Sequence, residues 1–181
     1  MSSTTPARRW WVLAALLALA SSATAGPADN AATDAAAKAA CQELVMDYAI
    51  YRDRYDAQPY ANLFTEDAVL SVLGVDYQGR AAIRARMEND PDKPVTHHHM
   101  STIKITLVDD KHAHGVSYVT VYSEPDQGTR PVPTAGFLAA GEYHDRFVRT
   151  DAGWKIAKRE FKPILVPISE PADSPQHDRA D

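Results

Sequence analysis

The sequence is nearly devoid of cysteine. Cys41 is the single one in 181 residues, so no internal disulfide can form and stability has to come from packing. It lies in an alanine-rich helical pattern and reads as a small buried hydrophobe rather than a reactive thiol. Basic residues are also in short supply, with 19 Lys and Arg against 24 Asp and Glu and a formal charge of −5. That balance argues against nucleic acid as a partner, because phosphate binding needs a basic face. HExxH and Cys/His spacings are missing too, which argues against a closed metal site. Neither a metal nor an organic cofactor is expected.

Long apolar runs are absent but for Trp10 to Ala20 (WWVLAALLALA), which is too short to favour a membrane-spanning helix. Arg8 and Arg9 precede it, and Ala23-Thr24-Ala25 follows as a small-residue cleavage pattern. Residues 1–25 therefore read as a signal peptide, with a mature start at Gly26 and a secreted or periplasmic destination. The arginine pair also admits a twin-arginine route. Cleavage removes two arginines and no acids, taking the formal charge from −5 to −7, and no stable membrane insertion is expected afterwards. What remains suits one domain with its own core.

Residues 26–34, rich in Pro, Ala and Asn, read as a flexible leader. A helix is expected from Asp34 to about Asp56, its buried face marked by Leu44, Val45, Tyr48, Tyr51 and Tyr55. Pro59 can start a second short helix. Ala68 to Val75 reads as a strand, Tyr77-Gln78-Gly79 as a turn, and Arg80 to Met87 as a third helix. Four more strands are expected at about His97–Val108, His114–Ser123, Gly136–Arg149 and Trp154–Leu165, and a Pro-bearing loop at 124–133. Residues 167–181 read as a disordered tail. Helices first and strands later, joined by hairpin turns, predict an α+β domain. Its antiparallel sheet curves around the long N-terminal helix as a cone-shaped barrel, and the interior is a place for a small apolar molecule.

The stretch Thr96-His97-His98-His99-Met100-Ser101 is the most conspicuous chemical feature. On a strand, successive side chains alternate between faces. Three adjacent histidines therefore cannot all reach one ion, and His98 shares its face with Met100 and Thr102. A single inward histidine, oriented by a carboxylate, would be a general base. The bland alternative is two wet histidines and one packed. Asp53 and Asp56 sit at the C-terminal end of the first helix, where the dipole disfavours a carboxylate unless it has a partner; an aspartate taken alone is most simply solvated. Tyr143 and Asp145 fall on the inward face of their strand with Gly141 and Phe147, and a buried acid needs a partner. Trp154, Ile156 and Arg159 read as core support.

Tyr48 to Phe64 (YAIYRDRYDAQPYANLF), Thr65-Glu66-Asp67-Ala68, Gly79-Arg80-Ala81-Ala82-Ile83, Thr96 to Ser101, Ala113-His114-Gly115, Gly141 to Phe147 and Gly153-Trp154-Lys155-Ile156 together resemble SnoaL-like proteins. These belong to the superfamily named for nuclear transport factor two, which includes scytalone dehydratase and ketosteroid isomerase. The resemblance covers about Ala39 to Pro163, within a domain set at 35–166. It implies the cone-shaped α+β fold, while the scaffold itself hosts many activities.

Tyr55-Asp56 looks like the Tyr-Asp pair of the dehydratase-like branch, and His98 like its pocket histidine. The resemblance implies an Asp-His dyad that removes a proton from carbon beside a carbonyl, with tyrosines polarising that carbonyl. Asp53 matches an acidic position used by other members, so which aspartate pairs with His98 stays open. The implied catalytic set is His98, Asp56, Tyr55 and Asp53, and the implied substrate-binding set is Tyr51, Ser117, Tyr143 and Asp145. Ser117 stands where the dehydratase carries a second histidine. Three functions follow: a cofactor-free lyase or isomerase acting on a small cyclic molecule, a non-catalytic periplasmic binder of an apolar ligand, or an assembly module that pairs sheets into a homodimer or homo-oligomer.

Overall fold

Residues 27–168 are described by the structure, a computed structural model; the signal-peptide reading and nearly all of the proposed tail lie outside them. Helix α1 spans Pro27–Arg54, so the helix extends back past Asp34 into the expected leader. Proline at the first helical position has its φ pre-set and loses no needed N–H, and the alanines that follow favour helix. Cys41, Val45, Tyr48 and Arg52 are its buried stripe, at helical spacing. Among the described residues no helix is long and apolar enough to cross a membrane.

The end of α1 is built by Tyr55, which adopts the left-handed conformation at φ 58°. The Asp56 N–H donates to the Tyr51 carbonyl at 3.0 Å and the Tyr55 N–H to the Arg52 carbonyl at 3.3 Å. These are the two bonds of a Schellman terminus, a place where glycine is usual. The reversal frees Asp56 to precede α2, Ala57–Asn62, in whose first turn Pro59 costs no hydrogen bond.

Strand β1 runs Phe64–Val72 and β2 Val75–Gln78. The turn between them is Leu73-Gly74, with φ of 51° and 79°, the two-residue geometry that matches strand twist. The sequence pattern instead predicts one strand through Val75 and a turn at Tyr77–Gly79; an exposed leucine at positive φ gives no signal of its own. Helix α3, Arg80–Glu88, follows, then β3 Val95–Leu107, β4 His112–Glu124, β5 Ala139–Thr150 and β6 Gly153–Leu165.

The sheet has six strands in the order β2-β1-β6-β5-β4-β3, curved but unclosed. The expected antiparallel pairing holds except between β1 and β6, which pair in parallel, so the sheet is mixed. A chain whose first long strand joins its last has no hairpin to force antiparallel pairing. In β3 the register shifts between Ser101 and Lys104, with Thr102 at φ 48°. This bulge breaks the alternation, so Thr102 is exposed while Ile103 and Ile105 continue the inward face begun by His98 and Met100. The core lies between the concave face and the helices, around Tyr48, Tyr60, Phe64, Leu70, Ile83, Tyr143, Phe147 and Ile156.

Candidate functional site

Asp53 occupies the last turn of α1, facing the start of β3. Its Oδ1 lies 2.6 Å from the His98 Nδ1. The Thr96 hydroxyl donates to the same oxygen at 3.0 Å, and the His98 backbone N–H donates to Oδ2 at 2.8 Å. One carboxylate thus fixes both the backbone and the ring of His98. Burial pushes the Asp53 carboxyl up, but the hydrogen bonds and charge of His98, together with Thr96, outweigh it and hold the group below the ordinary carboxylate range. These donors also answer the unfavourable dipole at a helix C-terminus. An ionised Asp53 is acceptor only, so Nδ1 carries a proton, and in the neutral ring Nε2 is the nitrogen left with a lone pair.

The His98 ring lines a cavity of about 120 Å³, shared with Tyr48, Arg52, Val72, Leu73, Arg86, Val121, Tyr143 and Phe161. That volume approaches the roughly 150 Å³ of an apolar cavity that accepts benzene. Tyr48 meets His98 edge-on at 6.3 Å between centroids and Tyr143 at 5.3 Å. Burial first, then the neighbouring Tyr48, pushes the Tyr143 phenol well above its ordinary value, so it remains a neutral O–H donor.

Behind this wall Arg159 and Asp145 form a fully buried pair, with Nε and Nη2 each 2.7 Å from a carboxylate oxygen. The guanidinium also lies 4.1 Å from the Tyr48 ring centre and 4.6 Å from that of Tyr143. Its partner satisfies the requirement of a buried acid, and its stacking sets the two tyrosines.

The expected site is thus partly rearranged. His98 faces inward, and His97 and His99 are exposed. The aspartate on His98 is Asp53, not Asp56. With Tyr55 reversing the chain, Asp56 falls beyond the helix, where its carbonyl accepts the Tyr60 N–H at 2.9 Å. Tyr55 does not line the cavity; its hydroxyl donates to the Pro94 carbonyl at 3.0 Å. Tyr51 packs half-buried against the core. Ser117 is fully buried, with no hydrogen-bond partner for its hydroxyl among the described residues. Asp145 supports the wall rather than facing the cavity, and Tyr143 does line it. Tyr48, Arg52 and Arg86 join the site without having been expected there. An arginine four positions after Tyr48 on a buried stripe was the available signal. Among the described residues no cluster of metal-binding side chains occurs.

The profile of the SnoaL-like domain matches residues 33–160. Among curated proteins none matches this sequence. Solved structures do. A candidate scytalone dehydratase from Novosphingobium aromaticivorans DSM 12444 is similar at 25% identity and a TM-score of 0.65, over 83% of this chain and 99% of that one. A variant of Rv3472 from Mycobacterium tuberculosis, a protein of unknown function, is similar at 26% identity and a TM-score of 0.62, over 76% of each chain. The hexachlorocyclohexane dehydrochlorinase LinA-type3 from Novosphingobium barchaimii LL02, at 21% identity and a TM-score of 0.66 over 76% and 92% of the two chains, shares the fold.

Proposed function

The chain belongs to the SnoaL-like domain family, and from that premise we propose that it is a cofactor-free lyase or isomerase of the dehydratase type, in which His98 is the general base. The observation that carries this reading is the 2.6 Å contact of Asp53 with His98 Nδ1 at the edge of a cavity. Asp53 fixes the tautomer and stabilises the imidazolium that forms. Nε2 takes a proton from a carbon beside a carbonyl, and the electron pair moves onto the carbonyl oxygen. Tyr143 or Tyr48 donates a hydrogen bond to that developing enolate, a role the family resemblance gives to Tyr55. The imidazolium then returns its proton, either to a departing β-hydroxyl that leaves as water or to another carbon, completing elimination or isomerisation. The cavity's volume and its Val72, Val121 and Phe161 walls suit a substrate with a single ring.

The test is NMR-monitored exchange of α-protons for deuterium in a panel of one-ring ketones and β-hydroxy ketones. The wild type is expected to accelerate exchange, and His98→Ala to lose at least about a hundredfold in rate. Undiminished turnover in His98→Ala, or no exchange by the wild type on any member, overturns the reading. Ser117, in place of a second histidine, favours the rival reading of a non-catalytic binder, which that second outcome would support. The opening segment adds the proposal that the protein works outside the cytoplasm. N-terminal sequencing of the native protein should then begin at Gly26, and an intact Met1 or a start at any other residue would count against it.

A further inference from the structure

The chain carries a formal charge of −5, yet its candidate pocket is cationic. The residues lining it include Arg52 and Arg86 and no aspartate or glutamate. Asp53 does not line the pocket itself but holds two residues that do, His98 and Thr96. Arg52 is 8% exposed, and a buried cation is retained only where something compensates it. Its compensation is incomplete. Nη2 lies 3.7 Å from an Asp90 oxygen, beyond hydrogen-bond length, and the guanidinium carbon lies 4.9 Å from the Tyr55 ring centre. Nη1 is buried with no hydrogen-bond partner among the described residues. Leaving such a donor unpaired is costly, so the guanidinium of a residue that lines the cavity is short of an acceptor.

We propose that Arg52, which lines the cavity that also holds His98 and whose charge is incompletely paired, binds a carboxylate borne by the substrate, with Arg86 adding a second positive charge. This rests on the reading of His98 as the base and narrows the substrate to small cyclic carboxylates. A guanidinium fork matches either a carboxylate or a phosphate, and the small cavity of about 120 Å³ favours the smaller carboxylate. The two ends of the pocket then divide the work. The ring lies against the apolar wall and the anion is held at Arg52. The carbon to be deprotonated is thereby kept near Nε2 rather than free to turn over in the pocket.

The experiment is binding by titration calorimetry with benzoate and its neutral isostere benzamide, which needs no catalysis. The wild type should bind benzoate on the order of tenfold more tightly than benzamide, as a charged hydrogen bond to a buried donor provides. Arg52→Gln should reduce that preference to about twofold or less, whereas His98→Gln should keep it. Arg52→Lys, which preserves charge and bulk, is the control should Arg52→Gln unfold; it should retain part of the preference, and that part should weaken with added salt. Equal affinity for the two probes, binding of neither, or an unchanged preference in Arg52→Gln overturns the proposal. None of those results touches the deuterium-exchange test of His98, so the two readings fail separately.

Discussion

Tyr55 donates its phenolic hydrogen to the carbonyl of Pro94 at 3.0 Å, and so ties the residue that ends α1 to the segment that begins β3. Asp53 lies just before one end of this tie and His98 just after the other. A glycine would end the helix with less strain, but it could not hold β3 in place. Tyr55→Phe removes the hydrogen bond and is expected to cost about 1 kcal/mol. The rate of the proposed reaction should fall more than affinity for benzoate, because the lost hydrogen bond reaches β3 while phenylalanine keeps the ring that faces Arg52. Thermal unfolding together with kcat and KM checks this, and a loss confined to KM would contradict it.

Asp53 makes stability depend on acid. Its carboxyl lies below the ordinary range in the folded chain, so the unfolded chain binds the proton more readily. The stabilisation is fully present above the unfolded value, near pH 4, and is lost as pH falls through the folded value. Asp53→Asn should flatten the stability profile below about pH 4, besides slowing the proposed reaction. Denaturant titrations of both proteins at several pH values measure the difference, and parallel profiles would contradict the assignment.

The Asp145–Arg159 pair has 0% side-chain exposure at both partners. Removing one partner strands a buried charge, so Asp145→Ala is expected to cost about 3–5 kcal/mol. Replacing both residues by leucine and methionine should recover most of the stability but not the arrangement of Tyr48 and Tyr143, which stack on Arg159. Chemical denaturation of the single and double variants separates these effects.

Cys41 is fully buried, and burial, with a smaller push from the charge of Asp145, raises its thiol to about 12. In the native protein it should resist thiol reagents at neutral pH, reacting no faster than the chain unfolds. Labelling rates compared with unfolding rates provide the check; fast labelling of folded protein would refute the packing described around α1.

Much of this was legible beforehand, and the exceptions have physical causes. Strand alternation split the three adjacent histidines between two faces, and the family resemblance then picked His98 as the inward one. The Tyr143 and Asp145 face followed from the same rule. The choice between Asp53 and Asp56 did not follow, since it turns on whether Tyr55 continues the helix or adopts positive φ, and nothing in tyrosine's propensities announces the second. Thr102 hid the β3 bulge for the same reason. Arg52 was not singled out, because the expected buried face ran through Tyr48, Tyr51 and Tyr55, and its unpaired nitrogen depends on how α1 packs against its neighbours. The parallel pairing of β1 with β6 leaves no local trace at all.

That pairing bears on how the molecule assembles. β1 ends at Val72 and β6 starts at Gly153, so their junction closes a loop of roughly 80 residues, at a cost in chain entropy. Asp53 and His98 meet across the chain between α1 and β3, whereas Asp145 on β5 faces Arg159 directly across the β5–β6 hairpin. A chain lacking β6 would have β1 with a raw inner edge, an acid without its partner, and Tyr48 and Tyr143 without the guanidinium between them. The last strand therefore acts as the keystone. Protein cut short before Gly153 should form its helix and hairpins, expose an edge prone to pairing with other chains, and carry no finished pocket.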